Sequence, residues 1–203
     1  MYAVVENNNI TQFINYPKSI VIGDVRYPAK IFTLWSKAEK EAVGIYEIET
    51  DSSNYKDANY YNNTNEQYSF ANNKVTKSWG TATPKRLEDE NAVDENGDAI
   101  LEDGVQVINY GLKTEKKKIV KQQASGLLAP TDWYVVKATE VADYDVPANI
   151  FSFRADVRTK SNEMETMINN CTTVDELKAL YEYTEQQDGT FTRPLPEFPK
   201  EVI

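Results

Sequence analysis

The stretch "GLLAPTDWYVV", residues 126–136, decides how the second half of the chain folds. Ahead of it, Val120, Ala124, Leu127 and Leu128 recur at i, i+4, i+7 and i+8, the spacing that lines apolar side chains along one face of a helix. Pro130 lacks the amide proton that a helix interior needs, so the helix stops there, and Thr131 is placed to cap whatever follows. A second helical run begins near Pro147, a favoured first-turn residue, with Val146, Ile150, Phe153 and Val157 on one face and Met164 and Ile168 extending it. Two helices joined by a segment that itself buries Trp133 make an αα-hairpin. Arg154 and Arg158 stand one turn apart on the second helix, flanking its apolar face. Asp132 or nearby acids can pair with them and tie the corner to the helix, while Trp133 anchors the hairpin.

The first half carries a different periodicity. Residues 2–5 (YAVV) and 20–22 (IVI) are short runs rich in β-branched or aromatic residues, bounded by Asn-rich or Gly-Asp punctuation, and are expected strands. Ser36 and Glu39 form an S-x-x-E capping box for a helix over 37–43 that Gly44 ends. "IYEIET" (45–50) alternates as a half-buried strand does, and "QYSFANNKVTKSWG" (67–80) predicts a hairpin turning at Asn72-Asn73. The aromatic group at 59–68 is better explained by cross-strand packing than by stacking on a carbohydrate or a base.

Between the halves, residues 86–104 carry eight acids against one arginine. Asp94, Asn96 and Asp98 have the 1-3-5 spacing of a calcium loop, but glycine falls at the fourth position, and Ala99 and Val105 occupy the sixth and twelfth. An acidic connector with tight turns accounts for the pattern. "KTEKKKIVK" (113–121) is expected to be a solvated helix face. Near the end, Thr173 and Glu176 form a second capping box, Asp188-Gly189 offers a hairpin turn, and "RPLPEFPKEVI" looks like an extended arm that packs on the body or reaches a neighbour.

Composition narrows the chemistry. The 203 residues include no histidine, which removes the usual Ser-His-Asp and Cys-His nucleophile systems and histidine-ligated zinc. The single cysteine, Cys171, cannot form an internal disulfide. A net charge of −10 opposes binding to nucleic acid or anionic lipid, no run of residues is long and apolar enough to span a bilayer, and the first residues carry no signal pattern. Glycines are scattered singly, so no loop cradles a phosphate. Acids are abundant, but nothing in the order of residues brings two of them together in a dry pocket. No catalytic residue, metal site or cofactor is expected.

"GLLAPTDWYVVK" followed after a gap by "VPANIFSFRADVR" resembles a motif of bacteriophage tail assembly and tail-fibre assembly chaperone proteins. In that family a helix ends in Leu-Leu, Thr-Asp-Trp follows, and a proline precedes a helix containing aromatic-Arg-x-x-apolar-Arg. Those features fall here on Leu127, Leu128, Thr131, Asp132, Trp133, Pro147, Phe153, Arg154 and Arg158. "IFTLWSKAEKEAVGIYEIE" is also similar to the start of small virion or tail-region proteins of marine phages. The resemblance covers about a quarter of the chain and carries no catalytic residues with it. The expectation is an α+β protein with a β-rich domain and one short helix over 1–80, an acidic turn-rich connector over 81–108, a helical hairpin over 109–170, and a helix, hairpin and proline-spaced arm over 171–203. The resemblance implies a non-enzymatic structural protein of the virion tail region, made in the host cytoplasm, whose partners are other phage structural proteins, with homo-oligomerisation open and no nucleic-acid or membrane partner. The alternatives are a tail-fibre assembly chaperone absent from the virion, a capsid decoration protein and, in a different class, a cell-wall hydrolase working through two carboxylates.

Overall fold

The computed structural model describes residues 1–200; the last three residues of the proline-spaced arm, 201–203, lie outside the described residues. The fold is mixed α+β, as the sequence predicts. The chain forms two units, Met1–Pro84 and Lys85–Ile203.

In the first unit, β1 (Tyr2–Glu6) turns tightly into β2 (Asn9–Ile14) through Asn7 and Asn8, both at positive φ (51° and 62°). Asparagine tolerates this left-handed conformation better than most residues, and the resulting turn matches the twist of an antiparallel pair. A small hairpin, β3 (Ile20–Ile22) and β4 (Val25–Tyr27), precedes two short helices, α1 (Ile31–Leu34) and α2 (Lys37–Ala42). The expectation of one short helix is corrected here: α1 is a single turn whose Ile31 and Phe32 are buried. Then come β5 (Ile45–Thr50), β6 (Tyr61–Asn62), β7 (Gln67–Ala71), β8 (Lys74–Ser78) and β9 (Thr83–Pro84).

Five of these strands form one sheet in the order β2-β1-β5-β8-β7, with β5–β8 parallel and the other pairings antiparallel. Asn72 and Asn73, at φ 52° and 56°, make the β7–β8 turn that the sequence marks. The sheet curls, because Phe13 on one edge strand and Tyr68 on the other bring their rings within 4.6 Å. β1 reads as a continuous apolar run because both of its faces are covered. Val4 joins Ile14, Ile20, Ile31, Phe32 and Ile45 on one side, while Ala3 and Val5 join Val75 on the other. β9 pairs back on β6, so the unit extends to Pro84.

The second unit begins with the acidic residues, which form paired turns. β10 (Glu90–Asn91) pairs with β13 (Ile108–Asn109), enclosing the hairpin of β11 (Leu101–Glu102) and β12 (Val105–Gln106). Asp94 accepts hydrogen bonds from the amides of Asn96 and Asp98, both at 2.9 Å, which hold its carboxyl below the usual range. This stretch also fixes the start of α3 (Leu112–Leu128): Leu112 N–H donates to Arg86 O at 3.0 Å, Lys113 N–H to Leu87 O at 3.1 Å, and Gly111 N–H to Asp89 at 2.8 Å.

A 3₁₀ turn (Ala129–Thr131) leads into α4 (Asp132–Glu140), and α5 (Ala148–Asn170) returns along α3. Lys117 Nζ donates to Asn169 at 2.8 Å and Lys121 lies 3.4 Å from Glu165, while Ala124 packs with Phe153 and Val157. Contacts that climb α3 descend α5, so the helices are antiparallel. The αα-hairpin expectation is corrected in its connection, which is a nine-residue helix rather than a turn. The solvated-face reading of 113–121 is also corrected: Lys113 is buried and pairs with Glu88, and Lys116 lies over the Tyr181 ring at 4.9 Å. After α6 (Val174–Ala179) and the hairpin of β14 (Thr184–Glu185) and β15 (Phe191–Thr192), the arm packs on the body. Leu195 is buried with its N–H on Leu180 O at 3.0 Å, and Phe198 covers the Ala124–Phe153–Val157 cluster.

Gly44 sits at φ +83°, and a Cβ there would come within 2.7 Å of Val5 O. Gly44→Ala is therefore expected to lower the stability of the first unit by about 2 kcal/mol, from left-handed strain plus a backbone clash, measured as a shift of its urea midpoint. The two capping boxes supply a pH test. Hydrogen bonds from the Ser36 hydroxyl and amide lower the Glu39 carboxyl, and those from the Thr172 amide and hydroxyl lower Glu176. A depressed carboxyl contributes stability that is present above its unfolded value, near 4.5, and lost as pH falls through the folded one. Glu39→Gln and Glu176→Gln should each flatten the loss of thermal stability between neutral pH and pH 3.

Candidate interaction surface

The corner of the second unit is built on Arg154. Its side chain is buried, and its guanidinium reaches three acceptors from residues 126–136. Nη1 donates to Leu128 O at 2.9 Å and to the Thr131 hydroxyl at 2.6 Å, and Nη2 donates to Asp132 at 2.7 Å. Thr131, also buried, donates its own hydroxyl to Leu128 O at 2.8 Å. A helix end leaves its last carbonyls without intrahelical partners, and Leu128 at the end of α3 is supplied with two donors from outside. The expected cap is thus corrected: Thr131 occupies the position before α4 but gives it no side-chain cap, because its hydroxyl serves α3 and Arg154 instead.

The other motif residues separate into an inner and an outer set. Leu127 and Leu128 are half-buried against the cluster that contains Phe153, and Phe153 is buried. Pro147 stands immediately before α5. Arg158 is exposed and donates to Arg154 O at 3.3 Å. Trp133 contradicts its expected role as a buried anchor: it is 52% exposed, its ring stacked on Tyr134 with centroids 3.8 Å apart. The guanidinium, not the indole, fills the corner.

As a result α4 turns outward. None of its residues is buried, although four of the nine are Trp133, Tyr134, Val135 and Val136. Val141 and, on α5, Phe151 (67%) are also exposed, and acids flank these side chains at Asp132, Glu140, Asp143 and Asp145. Lys137 lies over the rings of Trp133 and Tyr144 at 5.8 and 4.2 Å. The sequence hides this surface, because a run of apolar residues after a proline predicts burial.

The remaining chemistry-bearing groups among the described residues are dispersed over two further cavities and one buried thiol. A cavity of about 450 Å³ beside the corner is lined by Lys121, Asp132, Arg154 and Arg158 among others, and Asp132 there is held by Arg154. A smaller cavity, about 320 Å³, has Asp156 and Glu197 in its lining. There Glu197 accepts from the Tyr183 hydroxyl at 2.9 Å, and Arg193 Nε lies 2.9 Å away without aiming its N–H at the carboxylate. Burial pushes the Cys171 thiol up, and the thiol donates to Met167 O at 3.4 Å. Among the described residues no group of three metal-ligating side chains converges, and no helix is long and apolar enough to cross a membrane.

No protein-family model, curated protein or solved structure matches the chain.

Arg154→Ala should cost about 3 kcal/mol, because it strips the Leu128 carbonyl and the Thr131 hydroxyl of a buried donor and leaves a void. Asp132 is 60% exposed at its side chain, so solvent screens its pairing, and Asp132→Ala should cost less than about 1 kcal/mol. Urea denaturation of the two variants tests this order; equal losses would mean that the ion pair, not the buried hydrogen bonds, holds the corner.

Proposed function

We propose that this chain is a non-enzymatic structural protein of a bacteriophage virion, located in the tail region and acting through contacts with neighbouring phage structural proteins. The observation that carries the reading is α4: nine residues, four of them large and apolar, and none buried within the chain. Contiguous apolar side chains exposed on a soluble surface and rimmed by polar residues mark an interaction site. The Thr-Asp-Trp motif that resembles tail and tail-fibre assembly proteins lies at the start of this helix, so the residues that suggest the family also form the surface that needs a partner. Without histidine, and with two of its cavity-lining acids, Asp132 and Glu197, engaged by Arg154 and by Tyr183, the chain offers more to a protein partner than to a substrate.

In particles purified from the phage that encodes it, mass spectrometry is expected to find this protein at a fixed copy number, and antibody labelling should place it on the tail. Trp133→Ala combined with Val136→Asp should reduce its incorporation by about tenfold or more, with thermal stability unchanged because neither side chain supports the core. Absence from purified particles would sink the virion reading in favour of a transient assembly chaperone, and labelling on the shell would make it a decoration protein.

A further inference from the structure

We infer that a second copy of this chain docks its acidic hairpin onto the lysine stripe of α3. Helix α3 carries five lysines against one glutamate in a chain whose net charge is −10. Thr114, Lys117, Lys118, Lys121, Gln122 and Ser125 recur at i, i+3, i+4, i+7, i+8 and i+11, so they share one side of the helix. With Tyr110 they line a cavity of about 750 Å³, whose only acid among the described residues is Glu115. Lys121 and Ser125 also line the cavity that holds Arg158, so the groove continues toward the corner. The ends of Lys117 and Lys121 lean on Asn169 and Glu165, whereas Lys118 is exposed. Tyr110 and Ile119 expose apolar surface beside the stripe.

The chain carries the complement of this groove. The segment ending in the β11–β12 hairpin presents Glu95, Asp98 and Glu102, all exposed, and none has a cationic partner among the described residues. Leu101 and Val105, 58% and 69% exposed, project from the same hairpin. Its base is fixed by the Val107 N–H on Ile100 O at 2.9 Å and by Gln106 Nε2 on Ala92 O at 2.9 Å. A rigid element of this kind loses little freedom on docking. Acid meets lysine and leucine meets tyrosine in one contact. Because every copy has both halves, a two-fold arrangement makes that contact twice. Nucleic acid would meet the same lysines, but it would also meet the repulsion of the remaining chain.

The test uses the full chain in light scattering coupled to size exclusion, at low and high salt. A dimer is expected at 50 mM NaCl that dissociates toward 500 mM, because pairing between exposed charges weakens as the screening length falls below about 10 Å. Lys118→Glu with Lys121→Glu, and separately Glu95→Lys with Asp98→Lys and Glu102→Lys, should each weaken the dimer by about tenfold or more. Circular dichroism should confirm that both variants fold, since these groups are exposed. Mixing the two variants should restore a dimer of one copy of each, which mere loss of folding cannot produce. A monomeric wild type at 100 µM, a mixture that stays monomeric, or a monomer whose groove takes up an RNA oligonucleotide would overturn the inference. The outcome is independent of the virion reading, because the Trp133 and Val136 substitutions leave both halves of this contact intact.

Discussion

Burial of the Arg154 guanidinium is the constraint on which the second unit depends. A guanidinium cannot shed its charge, so taking it out of water costs several kcal/mol unless its donors find acceptors. Here the acceptors come from the end of one helix, the 3₁₀ turn and the start of the next: Leu128 O, the Thr131 hydroxyl and Asp132. None of the three is distant in sequence from the others, and all are far from Arg154, so satisfying the cation requires that α5 lie against the end of α3. The same need forces the tight 3₁₀ turn, since a longer loop would let Thr131 and Leu128 drift apart. Lysine at this position would supply a point charge in place of a planar fork and would not span the same acceptors.

Much of this was legible in the residues. The i, i+4, i+7, i+8 face of α3, the run from Ile150 to Ile168 on α5, both capping boxes and the Asn72-Asn73 turn depend on local patterns, and local patterns survive folding. The pairing of Asp132 with Arg154 was visible as a carboxylate at a corner and an arginine flanking an apolar face. What sequence could not show was competition for the interior of that corner. Hydrophobicity favours the indole of Trp133 there and sets Arg154 at the flank, but it is the arginine that reaches the Leu128 carbonyl, beside the Thr131 hydroxyl. Strand β2 was missed for a related reason: Asn7 to Asn9 mark a turn, and the strand beyond it alternates too weakly to stand out until Ile14 is seen in the core. The buried Lys113 was hidden because its partner, Glu88, lies in a segment that looked like a solvated connector.

The lysines of α3 illustrate how one sequence feature divides into two physical roles. Lys113, Lys116, Lys117 and Lys121 each touch a neighbour within the unit: Glu88, the Tyr181 ring, Asn169 and Glu165. They join α3 to the acidic turns before it and to the helices after it, which is why a strongly acidic unit tolerates its only basic helix at its centre. Where these lysines remain accessible, the same charge that stabilises the unit internally marks one strip of its surface as different from the rest.

Several acids of this chain, and one buried arginine, hold turns and corners. Asp94 is spent on two backbone amides, Asp132 on Arg154, and Glu39 and Glu176 on the first turns of their helices. Each of these carboxylates is an acceptor fixed by donors, which suits rigidity. The apolar surface follows the opposite rule. The chain folds its arm over the Ala124–Phe153–Val157 cluster through Phe198. Among the described residues, Phe198 covers the seam between α3 and α5 while Trp133, Val135 and Val136 of α4 stay exposed, the kind of contiguous apolar surface that marks an interaction site.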